Sequence, residues 1–123
     1  MTWGSSLNHK LLYHITSLSE WDLARTIGEY KPQGYDREGF MHCSYHHQLL
    51  TVAHRFYKGQ DGLVILIIEP STISNSLIEE NLEGGTELYP HIYCPLPINS
   101  VIKAVAFPCD ADGGFQLPDE LEM

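Results

Sequence analysis

The sequence predicts an α+β fold in a single domain over residues 1–123, and three observations carry that prediction. The chain is 123 residues long, the size of one ordinary domain. Its first half holds two helix patterns with start and stop signals. From residue 62 onward those patterns give way to short apolar runs bounded by Gly and Pro. With 43% hydrophobic residues, a chain of this length buries roughly two-thirds of its extended surface, which excludes disorder as its main state.

Each element has a local reason. Residues 10–16 (Lys-Leu-Leu-Tyr-His-Ile-Thr) form a strand pattern, and Ser17-Leu18-Ser19-Glu20 has the Ser-x-x-Glu form of a capping box that opens a helix through Ile27. Gly28 stands where such a helix stops. Residues 29–38, with Pro32, Gly34 and mixed charges, read as a loop, and residues 39–43 as a second short strand. Ser44 is placed to cap a helix over residues 45–58, in which Leu49, Val52, Ala53 and Phe56 line one stripe and Gly59 marks the exit. Residues 62–69 are apolar almost throughout and predict a central strand covered on both faces, stopped by Pro70. Residues 73–78, 88–93 and 101–107 are further strand candidates, and the acidic tail 111–123 is expected to fray.

Charge and composition narrow the function. The net charge is -9; residues 1–60 carry 6 basic and 5 acidic side chains, whereas residues 61–123 carry 1 basic and 11 acidic. A face that tracks a nucleic-acid backbone needs clustered Lys and Arg, so nucleic acid is excluded as a partner. The longest apolar run, Leu63–Ile68, is far shorter than the roughly 20 residues of a membrane span, so no membrane partner is expected. Residues 1–8 lack a basic patch followed by an apolar stretch, and the three cysteines, Cys43, Cys94 and Cys109, form an odd set without CxxC spacing. Both features lead us to expect a cytoplasmic protein with free thiols.

Chemistry-bearing residues concentrate in three segments. Tyr13-His14-Ile15-Thr16 ends the opening strand, and alternation puts His14 on the face opposite Tyr13 and Ile15. His42-Cys43-Ser44 lies at a strand-to-helix turn, where backbone N–H groups suit an anion or a carbonyl oxygen. Glu87-Leu88-Tyr89-Pro90-His91-Ile92-Tyr93 adds an acid, an imidazole and two aromatic rings.

Together these segments resemble a known family. Tyr-His-Ile, a Trp-containing helix, Gly-Phe-Met-His-Cys-Ser, Ala-His-Arg-Phe, Leu-Val-Ile-Leu-Ile-Ile-Glu-Pro and Tyr-Pro-His-Ile-Tyr follow one another over residues 11–110. This succession is similar to that of the uncharacterised family called domain of unknown function 952. The resemblance implies an ADP-ribosyltransferase-like fold, in which split sheets form a cleft for NAD, with two main helices near the N-terminal half. Tyr13-His14-x-Thr16 is similar to the Tyr-His-Gly-Thr strand of such enzymes, with Ile15 in place of the glycine.

The ADP-ribosyl chemistry so implied is cleavage of an N-glycosidic bond, for transfer or hydrolysis, with NAD as cofactor or substrate. Positive charge that builds on the ribose calls for a carboxylate, and Glu80 and Glu87 are the candidates. His14, His42 and His91 are the candidate catalytic imidazoles with Glu87. Tyr13, Ser44, Arg55, Glu80, Tyr89 and Tyr93 are the candidate ligand-binding residues. Two alternatives stand beside this reading: a metal-dependent hydrolase with His14, His42 and His91 as ligands, and a non-catalytic module that binds a small molecule. A carboxylate that points into the same cleft as His14 favours transfer chemistry over the binding module.

Overall fold

The computed structural model describes residues 10–82 and 84–121. The readings of residues 1–8 and of the last two tail positions therefore lie outside the described residues.

The strand of greatest consequence is β4, Leu63–Ile68, which is buried along its whole length. It is the middle strand of an antiparallel sheet between β1 (Leu12–Ser17) and β8 (Val101–Ala106). Its side chains alternate between two cores, which is why the segment is apolar without a polar face. Val64, Leu66 and Ile68 join Leu12, Trp21, Met41 and Ile92 on one side, while Leu63, Ile65 and Ile67 join Tyr13, Ile15, Leu49, Ala53 and Phe107 on the other. Each such side chain contributes about 1.5–3 kcal/mol of transfer free energy.

Two helices cover this sheet. In α1, Leu18–Ile27, the Ser17 hydroxyl accepts from the Glu20 N–H at 3.1 Å, and Gly28 closes the helix with φ near 103°, a conformation costly to any residue with a Cβ. Trp21 and Ala24 are its buried positions. The second helix is shorter than expected: α3 spans Leu49–Phe56 and is preceded by a 3₁₀ turn, His46–Gln48. Ser44 is not its cap. Tyr45 caps the 3₁₀ turn, with its own N–H bonded to Gln48 Oε1 at 2.9 Å, and Gln48 leads into α3, while Ser44 is held in an antiparallel bridge to Tyr13.

The remaining strands form two small sheets. Met41–His42 (β3), Leu77–Glu80 (β5) and Tyr89–Ile92 (β6) make a three-stranded sheet in the order β3-β6-β5. Glu29–Tyr30 (β2) pairs with Leu96–Pro97 (β7), so the expected loop 29–38 starts with a strand and also contains one helical turn, α2, Tyr35–Glu38. The fold class is thus a mixed α/β arrangement with three sheets and few helices.

Two further expectations fail for identifiable reasons. Helical structure is not confined to the first half: Pro70–Ser76 forms 3₁₀ turns, because the Glu69 carboxylate accepts from the Ser71 N–H at 3.1 Å and proline presets φ at the first position. The strand expected over 73–78 begins only at Leu77. Residues 111–121, expected to fray, pack against the sheet instead. Phe115 stacks on Phe107 with ring centroids 4.7 Å apart, the Phe115 N–H donates to His54 Nε2 at 2.9 Å, and His46 Nε2 donates to the Leu121 carbonyl at 2.8 Å. Phe115 and Leu121 are buried by this docking. No helix among the described residues is long and apolar enough to cross a membrane.

Truncation of Phe115 to Ala removes a buried ring and is expected to lower unfolding free energy by about 3 kcal/mol in urea titrations. A loss below about 0.5 kcal/mol, within the range of surface substitutions, would mean that the tail does not contribute to the core.

Candidate functional site

The site is built where the sheet of β1 meets the sheet of β3. Tyr13 and Ser44 exchange two backbone hydrogen bonds, 2.9 and 2.8 Å long, and the pairing extends no further. Beside this bridge lies His14. Its Nδ1 is 2.6 Å from the His42 carbonyl, which can only accept, so Nδ1 carries the proton. Nε2 then accepts from the Tyr30 hydroxyl at 2.8 Å, and the Thr16 hydroxyl bonds the Tyr30 oxygen in turn. Burial pushes the imidazole pKa down to about 4, against the favourable hydrogen bond that it donates to the His42 carbonyl. His14 is therefore neutral at physiological pH. Both of its nitrogens are engaged by protein groups.

The opposite wall is an array of rings and acids. Antiparallel register sets His42 directly across from His91, with ring centroids 5.0 Å apart and planes at 77°. Phe40 packs against both, stacked on His91 at 4.5 Å and tilted against His42 at 4.8 Å. Behind His91, Glu80 Oε2 accepts from Nδ1 at 2.8 Å and from the Tyr93 hydroxyl. Those two hydrogen bonds, Tyr93 first, hold the Glu80 carboxyl below its ordinary pKa. His42 Nε2 lies 3.4 Å from Glu38.

Between these walls opens a cleft of about 610 Å³, within the range typical of small-molecule sites. Of the residues singled out from sequence, Tyr13, His14, His42, Ser44, Arg55, Glu80, Tyr89 and His91 line it. Arg55 comes from the last turn of α3. Glu87 does not line the cleft; it accepts from Gln48 Nε2 at 2.7 Å and faces His47 at 3.4 Å. Tyr93 acts from outside it, through Glu80. Sequence reasoning missed Tyr30, Glu38 and Phe40. Phe40 stands in the Gly-Phe-Met-His segment, where its ring next to His42 is the signal that could have found it.

The metal alternative does not assemble. Among the described residues no three His, Cys, Asp or Glu side chains are arranged to hold an ion, and His14 has no nitrogen to offer. Cys43 is buried, which pushes its thiol pKa up and away from thiolate chemistry.

The family model described as "Protein of unknown function (DUF952)" matches residues 15–104. The chain belongs to this family. The matched region of this DUF952 member includes His42, Ser44, Arg55, Glu80 and His91. Its fold is similar to the crystal structure of protein CC0527 from Caulobacter crescentus, a structural genomics target. The two share 34% identity with a TM-score of 0.83, over 92% of this chain and 99% of that one. The solution NMR structure of CC0527 gives a TM-score of 0.78 at 34% identity, over 90% of this chain and 96% of that one. No curated protein matches the chain.

The neutral His14 of this DUF952 member makes a pH prediction. Its folded pKa, about 4, lies below the value of 6.5 it has when exposed, so the stability it contributes is present above pH 6.5 and is lost as pH falls toward 4. The contribution at stake is about 3 kcal/mol at most. Urea unfolding across that pH range should show this loss, and a His14→Asn variant, less stable at pH 7, should show a shallower dependence. An unchanged slope in the variant would assign the acid sensitivity to other groups.

Proposed function

We propose that the cleft binds an NAD- or ADP-ribose-like ligand and cleaves the N-glycosidic bond of NAD, as a hydrolase or a transferase. The observation that carries this reading is that Glu80 lines the same cleft as His14, His42 and His91, whereas Glu87 does not. Breaking the bond between ribose C1′ and a pyridinium ring sends the electron pair to the ring and leaves positive charge on the sugar. A preorganised carboxylate beside that charge lowers the barrier by roughly 3 kcal/mol.

Glu80 suits this role through its hydrogen bonds. Oε2 is occupied by Tyr93 and His91, which keep the group ionised and fix its plane, and Oε1 has no partner among the described residues. In this reading Arg55 faces the diphosphate, the buried Ser44 hydroxyl meets a ribose oxygen, and Tyr89 packs on a ring. Ser44 contributes its hydroxyl alone, since its N–H is bonded to Tyr13.

The test separates binding from turnover. NAD or ADP-ribose at millimolar concentration should raise the melting midpoint, by linkage to the folded state. Nicotinamide release should fall at least about 100-fold in Glu80→Gln while the ligand-induced shift persists. A shift without nicotinamide release in the wild type would leave a binding module, and no shift with either ligand would refute the nucleotide reading.

A further inference from the structure

We propose that His91 is a general base, accepting the proton of a hydroxyl group, from water or an alcohol, as that oxygen attacks in the cleft. The inference rests on the N-glycosidic reading above and names its acceptor class.

The first observation is an unmatched buried atom. The His91 side chain is 5% exposed, and its Nδ1 must carry a proton because Glu80, a carboxylate, can only accept. In the neutral ring Nε2 carries a lone pair, and no described residue donates to it. A buried acceptor without a partner is costly, by about 1–3 kcal/mol, and native structures seldom retain one without use. His91 lines the cleft, so a group that occupies the cleft is placed to supply that donor.

The second observation is that the ring is held in place. Phe40 stacks on one face with planes 27° apart, and His42 meets it at 77°. The charged and titratable groups around it are Glu80 on β5, Tyr93 just after β6, and His42 on β3 with Glu38 from α2 behind it. Glu80 makes Nε2 the basic nitrogen and countercharges the imidazolium once the proton arrives, the arrangement expected of a base oriented by a third group. Glu80 is thus a positioning residue for His91 through Oε2 and, in the glycosidic reading, an electrostatic one through Oε1.

The step balances with one base. The C1′–N bond breaks and its electron pair goes to the pyridinium nitrogen, so nicotinamide leaves neutral and takes up no proton. The attacking oxygen bonds C1′ and gives its proton to Nε2. His91 then returns that proton to solvent. No oxidant or second substrate beyond the hydroxyl compound is consumed.

The decisive variant is His91→Asn, whose amide keeps an N–H toward Glu80 but removes Nε2. With the full chain, the ADP-ribose-induced melting shift should persist in the variant. Nicotinamide release from NAD should fall at least about 100-fold, and its rise with pH through the imidazole range should disappear. Retention of the wild-type rate and pH profile would overturn the role of His91 while leaving glycosidic cleavage intact. A wild type that binds ADP-ribose but releases no nicotinamide overturns the base, and one that neither binds nor releases overturns both proposals. Should the variant not fold, nitrogen NMR of histidine-labelled wild type decides: Nδ1–H with bare Nε2 at neutral pH supports the proposal, and the opposite tautomer overturns it.

Discussion

One imidazole touches all three sheets. His14 stands on β1, donates to the carbonyl of His42 on β3 and accepts from the hydroxyl of Tyr30 on β2. The bridge between Tyr13 and Ser44 is the sole strand pairing between the two larger sheets among the described residues, so the imidazole beside it is the second fastening of the joint. In the neutral ring Nε2 is the acceptor for the Tyr30 O–H. Desolvation supplies that neutrality, and a group that would be costly as an ion becomes a joint between layers.

Partner count separates this histidine from the one across the cleft. Both are nearly buried and both line the same space. Protein groups satisfy two nitrogens on His14 and one on His91. The first has no ring nitrogen left for a ligand and the second has one, though residue type and strand context look alike in the sequence. Charge is uneven as well, because Glu20, Glu38 and Glu80 line the cleft with Arg55 as their single guanidinium counterpart. Such a field favours ligands with a cationic or hydroxyl-rich end over simple polyanions.

The parts legible in the sequence were those decided locally. Ser17 with Glu20, Gly28, and the unbroken apolar run of β4 each state their structure within a few residues, and all three agree with the fold. Pro70–Ser76 could have been read from Glu69-Pro70-Ser71, but β-branched Ile73 drew the reading toward a strand. The tail was misread because its anchors, Phe115 and Leu121, are widely spaced among acids and depend on His54 and His46 far away in sequence. The site was legible as a set of residue types and not as geometry. Glu80 and Glu87 flank the same loop, and only the pairing of Glu80 with Tyr89, two residues before His91, decides which acid meets the imidazole.

The acid and its imidazole lie on adjacent strands of one hairpin, 11 residues apart, with Tyr93 just beyond. Arg55 and Ser44 on the facing side belong to other elements. The proposed reactive pair and the proposed ligand-binding residues are thus separately encoded. On the reading proposed above, substitutions along α3 change what the cleft admits while the β5–β6 pair stays as it is, which gives the scaffold a route to new ligands without rebuilding that pair.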